Sequence, residues 1–147
     1  MNVINLTQHA ATATQSSNGI WDVAPWRVEA LKCLLTFPAD YDQELLNARA
    51  DALVTLAKED AFTRAYLKAE SHFSADRVSQ EEAEGFLDLT VMIGGMPSLM
   101  PVLQQKLIEA GFKVGYARTD RVSVDKVVDG KVVKTAVFDH VGMYWAN

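Results

Sequence analysis

At 147 residues the chain is long enough for one domain with its own hydrophobic core. Hydrophobic residues make up 49% of the sequence and the mean hydropathy is −0.01, which is typical of a soluble globular protein. The formal net charge of −5 argues against non-specific binding of nucleic acids, and no apolar run is long enough to span a bilayer. We therefore expect a single domain over residues 1–147, with no export leader and a cytoplasmic location.

The first half of the chain predicts one short strand followed by helices. A strand over residues 2–6 leads into a polar loop, in which Thr12 and Gln15 match a capping box and predict a short helix. Pro25 predicts the start of a second helix that Pro38 ends. The single cysteine, Cys33, lies in the apolar run of that helix, so we expect a buried structural thiol. Residues 41–87 read as an acid-rich helical insert.

The second half predicts a strand over residues 89–93, a glycine turn, an amphipathic helix and a parallel strand over residues 114–117. We expect Ser98 to cap this helix and Gly111 to end it. This order predicts an α/β fold with a mostly parallel sheet and a right-handed crossover. Its ligand is expected at the glycine turn, beyond the carboxyl end of the strand.

The last third predicts a β-hairpin arm over about residues 121–139. Asp129-Gly130 is a strong signal for a two-residue turn, because both positions of that turn need positive φ. The resulting register places Asp125 opposite Lys134 as an ion pair. It also places Asp120 opposite Asp139, which is unfavourable, so we expect the pairing to loosen there.

Two groups of candidate ligand-binding residues follow strands of the predicted sheet. Gly94, Gly95 and Ser98 could cradle a phosphate at the start of the helix, although a simple tight turn explains them equally well. Arg118 and Arg121 could neutralise a phosphate, or could pair with neighbouring aspartates instead.

A third candidate is His9, in the loop after the first strand, which could act as a general acid or base. A surface or capping role is the alternative. If the first strand is parallel to the others, all three groups lie at one edge of the sheet. We expect no metal and no cofactor, because the three histidines and one cysteine are widely separated. His72 and His140 receive no role.

The loop around His9 resembles the opening of small CRISPR-associated proteins with a CARF-type, Rossmann-like fold. Those proteins have Ser-His-x-Leu-Thr-x-x-Gln after a strand, and the matching residues here are His9, Thr12 and Gln15, with Gln8 in place of the serine. The whole chain also resembles proteins of phages and mobile elements. The shared residues of that pattern are Asn5–His9, Ala11, Thr12, Ile93–Pro97, Leu99, Met100, Val137, Phe138, His140 and Gly142.

The resemblance implies a homodimeric accessory protein that binds a cyclic oligonucleotide at the sheet edge, with a part in anti-phage defence. In this hypothesis His9 is catalytic, and the ligand is bound by Gln8, Thr12, Gly94, Gly95, Ser98, Arg118 and Arg121. Cleavage would be that of a metal-independent ring nuclease, in which a ribose 2′-hydroxyl attacks its own phosphate.

Two alternatives stay open. The first is a non-catalytic protein that inhibits a host defence complex, with the arm and an acidic helical face at Asp42, Glu44 and Asp51 as contact surfaces. The second is a structural or morphogenetic protein. Neither alternative needs a ligand at the sheet edge.

Overall fold

The computed structural model describes residues 2–147, which contain five strands and five α-helices. The strands are β1 (Val3–Asn5), β2 (Ile20–Asp22), β3 (Thr90–Ile93), β4 (Lys113–Val128) and β5 (Lys131–Trp145). The helices are α1 (Ala13–Ser17), α2 (Val28–Leu35), α3 (Gln43–Phe73), α4 (Gln80–Glu84) and α5 (Met100–Glu109). A short 3-10 turn at Pro25–Arg27 leads into α2. The α/β class is therefore confirmed.

All five strands belong to one sheet with the order β2-β1-β3-β4-β5. The first four strands are parallel, whereas β5 runs antiparallel to β4. The expectation of a mostly parallel sheet is wrong, because the β4–β5 ladder is longer than the three parallel ladders together. The sheet is mixed, because β4 is both the last parallel strand and the first strand of the antiparallel hairpin.

The two faces of the sheet are covered unequally. Helices α2, α3 and α5 pack on one face, where the main core contains Ile4, Val91 and Val114. The long helix α3 contributes a stripe of leucine and alanine that includes Leu53 and Ala57, both fully buried. The other face has only a small cluster of Val3, Ile20 and Met92, to which the end of β5 adds Met143 and Trp145.

Several local predictions are confirmed at the level of single hydrogen bonds. Thr12 and Gln15 form the capping box of α1, and α5 ends with Gly111 at φ +94°. The backbone N–H of Phe112 donates to the Leu107 oxygen at 3.0 Å, the bond that closes a Schellman motif.

Two local predictions are wrong. Helix α5 begins after Leu99 rather than Ser98, and the Ser98 hydroxyl lies 2.9 Å from that of Tyr41. Cys33 is exposed because Leu31 and Leu35 form the buried stripe of α2. A residue midway between them is rotated by about 200° from each and therefore projects outward.

The hairpin has the predicted register, with Asp125 opposite Lys134 and the turn residues Asp129 and Gly130 at φ +51° and +74°. The pairing does not loosen at Asp120 and Asp139, which face each other within a continuous ladder. The irregularity lies one step further, between Arg118 and Thr119. Residues 117–128 and 131–139 are all exposed, and we call residues 118–139 the arm.

Candidate ligand-binding cleft

The chain changes direction across the sheet between β1 and β3. From β1 it passes to β2 on one side, and it then returns to β3 on the other side of β1. Both strands are parallel, so the loops that follow them leave the same edge and diverge. In open α/β sheets, ligands bind at such a point, outside the carboxyl ends of the strands.

A cavity of about 400 Å³ lies at this point, and we call it the β1–β3 cleft. Three parts of the chain line it: the loop after β1, the end of β3, and the adjacent part of the β4–β5 hairpin. The lining residues are Thr7, His9, Ala10, Thr12 and Gln15; Met92, Ile93 and Gly94; and Tyr116, Ala117, Thr119 and Phe138. The cleft is therefore shared by residues that are distant in the sequence.

The loop that carries His9 is held by the buried side chain of Asn5, which is 2% exposed. Its Nδ2 donates to the His9 backbone oxygen at 2.8 Å and to Oδ1 of Asp22 at 2.9 Å. Its Oδ1 accepts bonds from the backbone N–H of Thr7 at 3.0 Å and from the Thr7 hydroxyl at 2.7 Å. Asp22 Oδ1 also accepts from the Ala11 N–H at 2.8 Å, so both ends of the loop are fixed.

A second polar network ties the end of β2 to the core helix α3. Asp60 of α3 is fully buried, and its carboxylate pairs with Arg27 at 3.1 Å and with Arg64 at 2.9 Å. It also accepts the backbone N–H of Ala24 at 2.9 Å. Arg64 donates in addition to the backbone oxygen of Asp22. The Asn5 network thus continues through Asp22 into the core.

The structure brings together some of the candidate residues and not others. His9, Thr12 and Gly94 line the cleft. Gln8 is turned to the other side of its loop, where its Nε2 donates to the Leu35 oxygen at 3.1 Å beside a separate pocket of about 170 Å³. Ser98 is engaged with Tyr41, as described above.

The remaining candidates are Gly95, Arg118 and Arg121, which do not line the cleft. Arg121 is paired with Phe138, so the two side chains lie on the same face of the arm. Phe138 lines the cleft and is 70% exposed. Arg121 therefore lies on the face of the arm that continues the cleft wall. Arg118 precedes the irregularity and lies on the opposite face.

Tyr116 lines the cleft, and its side chain is held by α5. Its hydroxyl donates to Oε1 of Gln104 at 2.7 Å, and burial raises the pKa of the phenol above its ordinary value. The ring therefore stays uncharged at neutral pH.

Sequence reasoning missed Asn5, Asp22, Tyr116, Thr119 and Phe138. Phe138 could have been found from the predicted hairpin register, because that register places it opposite the candidate residue Arg121. Asn5 could have been found from its local partners, because Asn5 and Thr7 form an Asx turn at the end of β1. Nothing local marks Asp22, because its side chain accepts bonds from Asn5 and Ala11.

The acidic residues of the alternative contact face have roles within the chain. Asp42 caps α3 through a bond from the Leu45 N–H at 2.8 Å, and Asp51 pairs with Lys106 at 2.8 Å. Across residues 2–147, no cluster of three or more histidine, cysteine or acidic side chains could hold a metal ion. No helix in the same range has both the length and the apolar character to cross a membrane.

A family model described as Uncharacterized protein MJ1673 family matches residues 1–143. The chain belongs to this family. The match covers nearly the whole sequence, so the cleft and the arm both lie within what the family model describes. No curated protein and no solved structure matches the chain. The CARF resemblance and the phage or mobile-element origin remain predictions.

Proposed function

We propose that this member of the MJ1673 family binds a nucleotide in the β1–β3 cleft, as a Rossmann-like accessory protein of a phage or mobile element. The observation that carries the proposal is the meeting of His9, Thr12 and Gly94 in one cavity at the point where the strand order reverses. Nucleotide-binding sheets use this position for their ligands. The cavity volume of about 400 Å³ lies within the range of small-molecule sites.

The wall residues suit the two halves of a nucleotide. Phe138 offers an exposed ring on which a base can stack, a contact that tolerates any base. His9 and Thr12 offer polar side chains to ribose and phosphate, and Gly94 permits a close approach to the backbone. Arg121, on the same face as Phe138, is the cation that a ligand extending along the arm would meet.

The resemblance to CARF-type proteins favours a cyclic oligonucleotide as the ligand, and its cleavage would need no metal. The 2′-oxygen of one ribose would form a bond to the adjacent phosphorus while the bond from phosphorus to the 5′-oxygen breaks. His9 would take the 2′-hydroxyl proton, the 5′-oxygen would gain a proton from water, and the hydroxide that remains would take the proton from His9. The products would be a 2′,3′-cyclic phosphate and a free 5′-hydroxyl.

The proposal is tested by thermal unfolding in the presence of a panel of cyclic oligoadenylates. AMP serves as the non-cyclic mononucleotide reference. A ligand at 100 times its Kd stabilises the folded state by about 2.7 kcal/mol, which raises the Tm by several degrees. We expect a cyclic oligoadenylate to give this rise. If no cyclic nucleotide changes the Tm, the proposal is overturned.

Replacing Phe138 by alanine is expected to weaken binding by roughly tenfold, because a stacked base contributes about 1–3 kcal/mol. The matched control is Trp26→Ala, since Trp26 is also 70% exposed but lies outside the cleft. Isothermal titration of both variants with the stabilising nucleotide measures the difference. Equal affinities for the two variants would place the ligand elsewhere. His9→Ala separates binding from cleavage, because it should remove turnover.

A further inference from the structure

The two faces of the arm differ in composition, and one of them carries most of the valines. In β4 the even-numbered residues from 120 onward share a face with their partners in β5. The valines on this face, which we call the valine face, are Val122, Val124, Val128, Val133 and Val137. The opposite face, which we call the polar face, carries the pair Asp125 and Lys134, but it also carries the exposed valine pair Val127 and Val132 near the turn. Antiparallel sheets with this division pack their apolar face against another layer.

In the described residues, the valines of this face are exposed to solvent. Val122 and Val137 are each 37% exposed, and Val133 and Val128 are 46% and 45% exposed. An isolated two-stranded hairpin is only marginally stable in water. A contiguous apolar surface of this kind marks an interaction site.

The valine face carries charges of both signs along its length, with Arg118 and Lys131 near its two ends. Asp120 and Asp139 lie opposite each other at its base, an unfavourable pair in a monomer. Lys126 lies on the same face six residues further along β4, at a distance of about 20 Å. The midpoint of β4 between Asp120 and Lys126 lies between Val122 and Val124. A half-turn about this point therefore brings Asp120 and Asp139 of one face to Lys126 of an identical face.

We propose that the valine face binds the valine face of a second copy of this chain, with the two arms antiparallel. A two-fold axis between Val122 and Val124 brings the Asp120–Asp139 pair of each copy to Lys126 of the other. Such self-complementarity is what a symmetric dimer requires. The two ribbons pack as stacked sheets, and the polar face with Phe138 stays free toward the cleft.

Sedimentation equilibrium of the full chain tests the proposal. We expect a dimer for the wild type and a dissociation constant at least roughly tenfold higher for Val122→Asp. The matched control is Ser123→Asp, the next residue in the strand but on the polar face, which should leave the dimer intact. A monomeric wild type up to its solubility limit, or equal effects of the two variants, would overturn the proposal.

A charge-exchange experiment tests the register of the two arms without altering the apolar contacts. Lys126→Glu alone should weaken the dimer, because it places a third acidic group against Asp120 and Asp139 of the other copy. The double variant Asp120→Lys, Asp139→Lys should be weakened as well. Mixing the two proteins should restore a heterodimer. Failure of the mixture to associate more tightly than either variant alone would exclude the antiparallel register.

Discussion

Replacing Asp60 by alanine is expected to lower the free energy of unfolding by about 3–5 kcal/mol, the cost of removing one partner from a buried ion pair. The carboxylate is fully buried and satisfies two arginines and one backbone N–H. Without it, Arg27 and Arg64 keep their charge in a site with little water, and the Ala24 N–H loses its acceptor. Urea unfolding followed by circular dichroism measures the change.

The control for this prediction is Asp51→Ala on the same helix. Asp51 also pairs with a cation, Lys106 at 2.8 Å, but its side chain is 67% exposed. Exposed pairs contribute about 0–1 kcal/mol, so the control should unfold close to the wild type. If both variants lose the same stability, the Asp60 network is not what holds α3 to the end of β2.

Replacing Asn5 by alanine is expected to lower the free energy of unfolding by roughly 1–3 kcal/mol, because its partners lose their bonds in a partly buried place. The loss of stability should be greatest in the loop that carries His9. Amide hydrogen exchange at Thr7 and Ala11 should become faster, since the Thr7 N–H loses its acceptor and Asp22 is no longer held in place for Ala11. Nucleotide binding in the β1–β3 cleft should weaken with it.

Asn18→Ala serves as the comparison. Asn18 is exposed, and its side chain donates only to the Thr14 oxygen within the adjacent helix turn. Its removal should leave the exchange rates of residues 7–11 unchanged. Unaltered exchange at Thr7 in the Asn5 variant would show that another contact orders the loop.

The features that could be predicted from sequence are those fixed by neighbouring residues. The Thr12–Gln15 capping box and the Asp129-Gly130 turn each act within a few residues, so the short helix and the hairpin register followed directly. The mixed character of the sheet could not be predicted in this way, because it depends on how far the β4–β5 ladder extends. The Asp120–Asp139 pair did not stop it, because both carboxylates are exposed to water, which screens their repulsion.

The candidate cleft could be predicted only in part. Parallel strands bring their carboxyl ends to one edge, which correctly placed His9 and Gly94 in one cavity. Arg118 was expected there and lies on the other face, because successive residues of β4 alternate between the two faces of the sheet. Asp60 was not predicted, because its partners Arg27 and Ala24 are distant in the sequence and only Arg64 lies on the same helix.

The pairing of β1 with β3 has a consequence for how quickly the protein folds. Ile4 is opposite Val91, so most of the body lies between the two partners in sequence. Helix α3 and the β4–β5 hairpin can form from local contacts within microseconds, whereas closing this long loop is entropically costly. Entry of the amino-terminal strand into the sheet should therefore be the slow step, and the cleft should be assembled last.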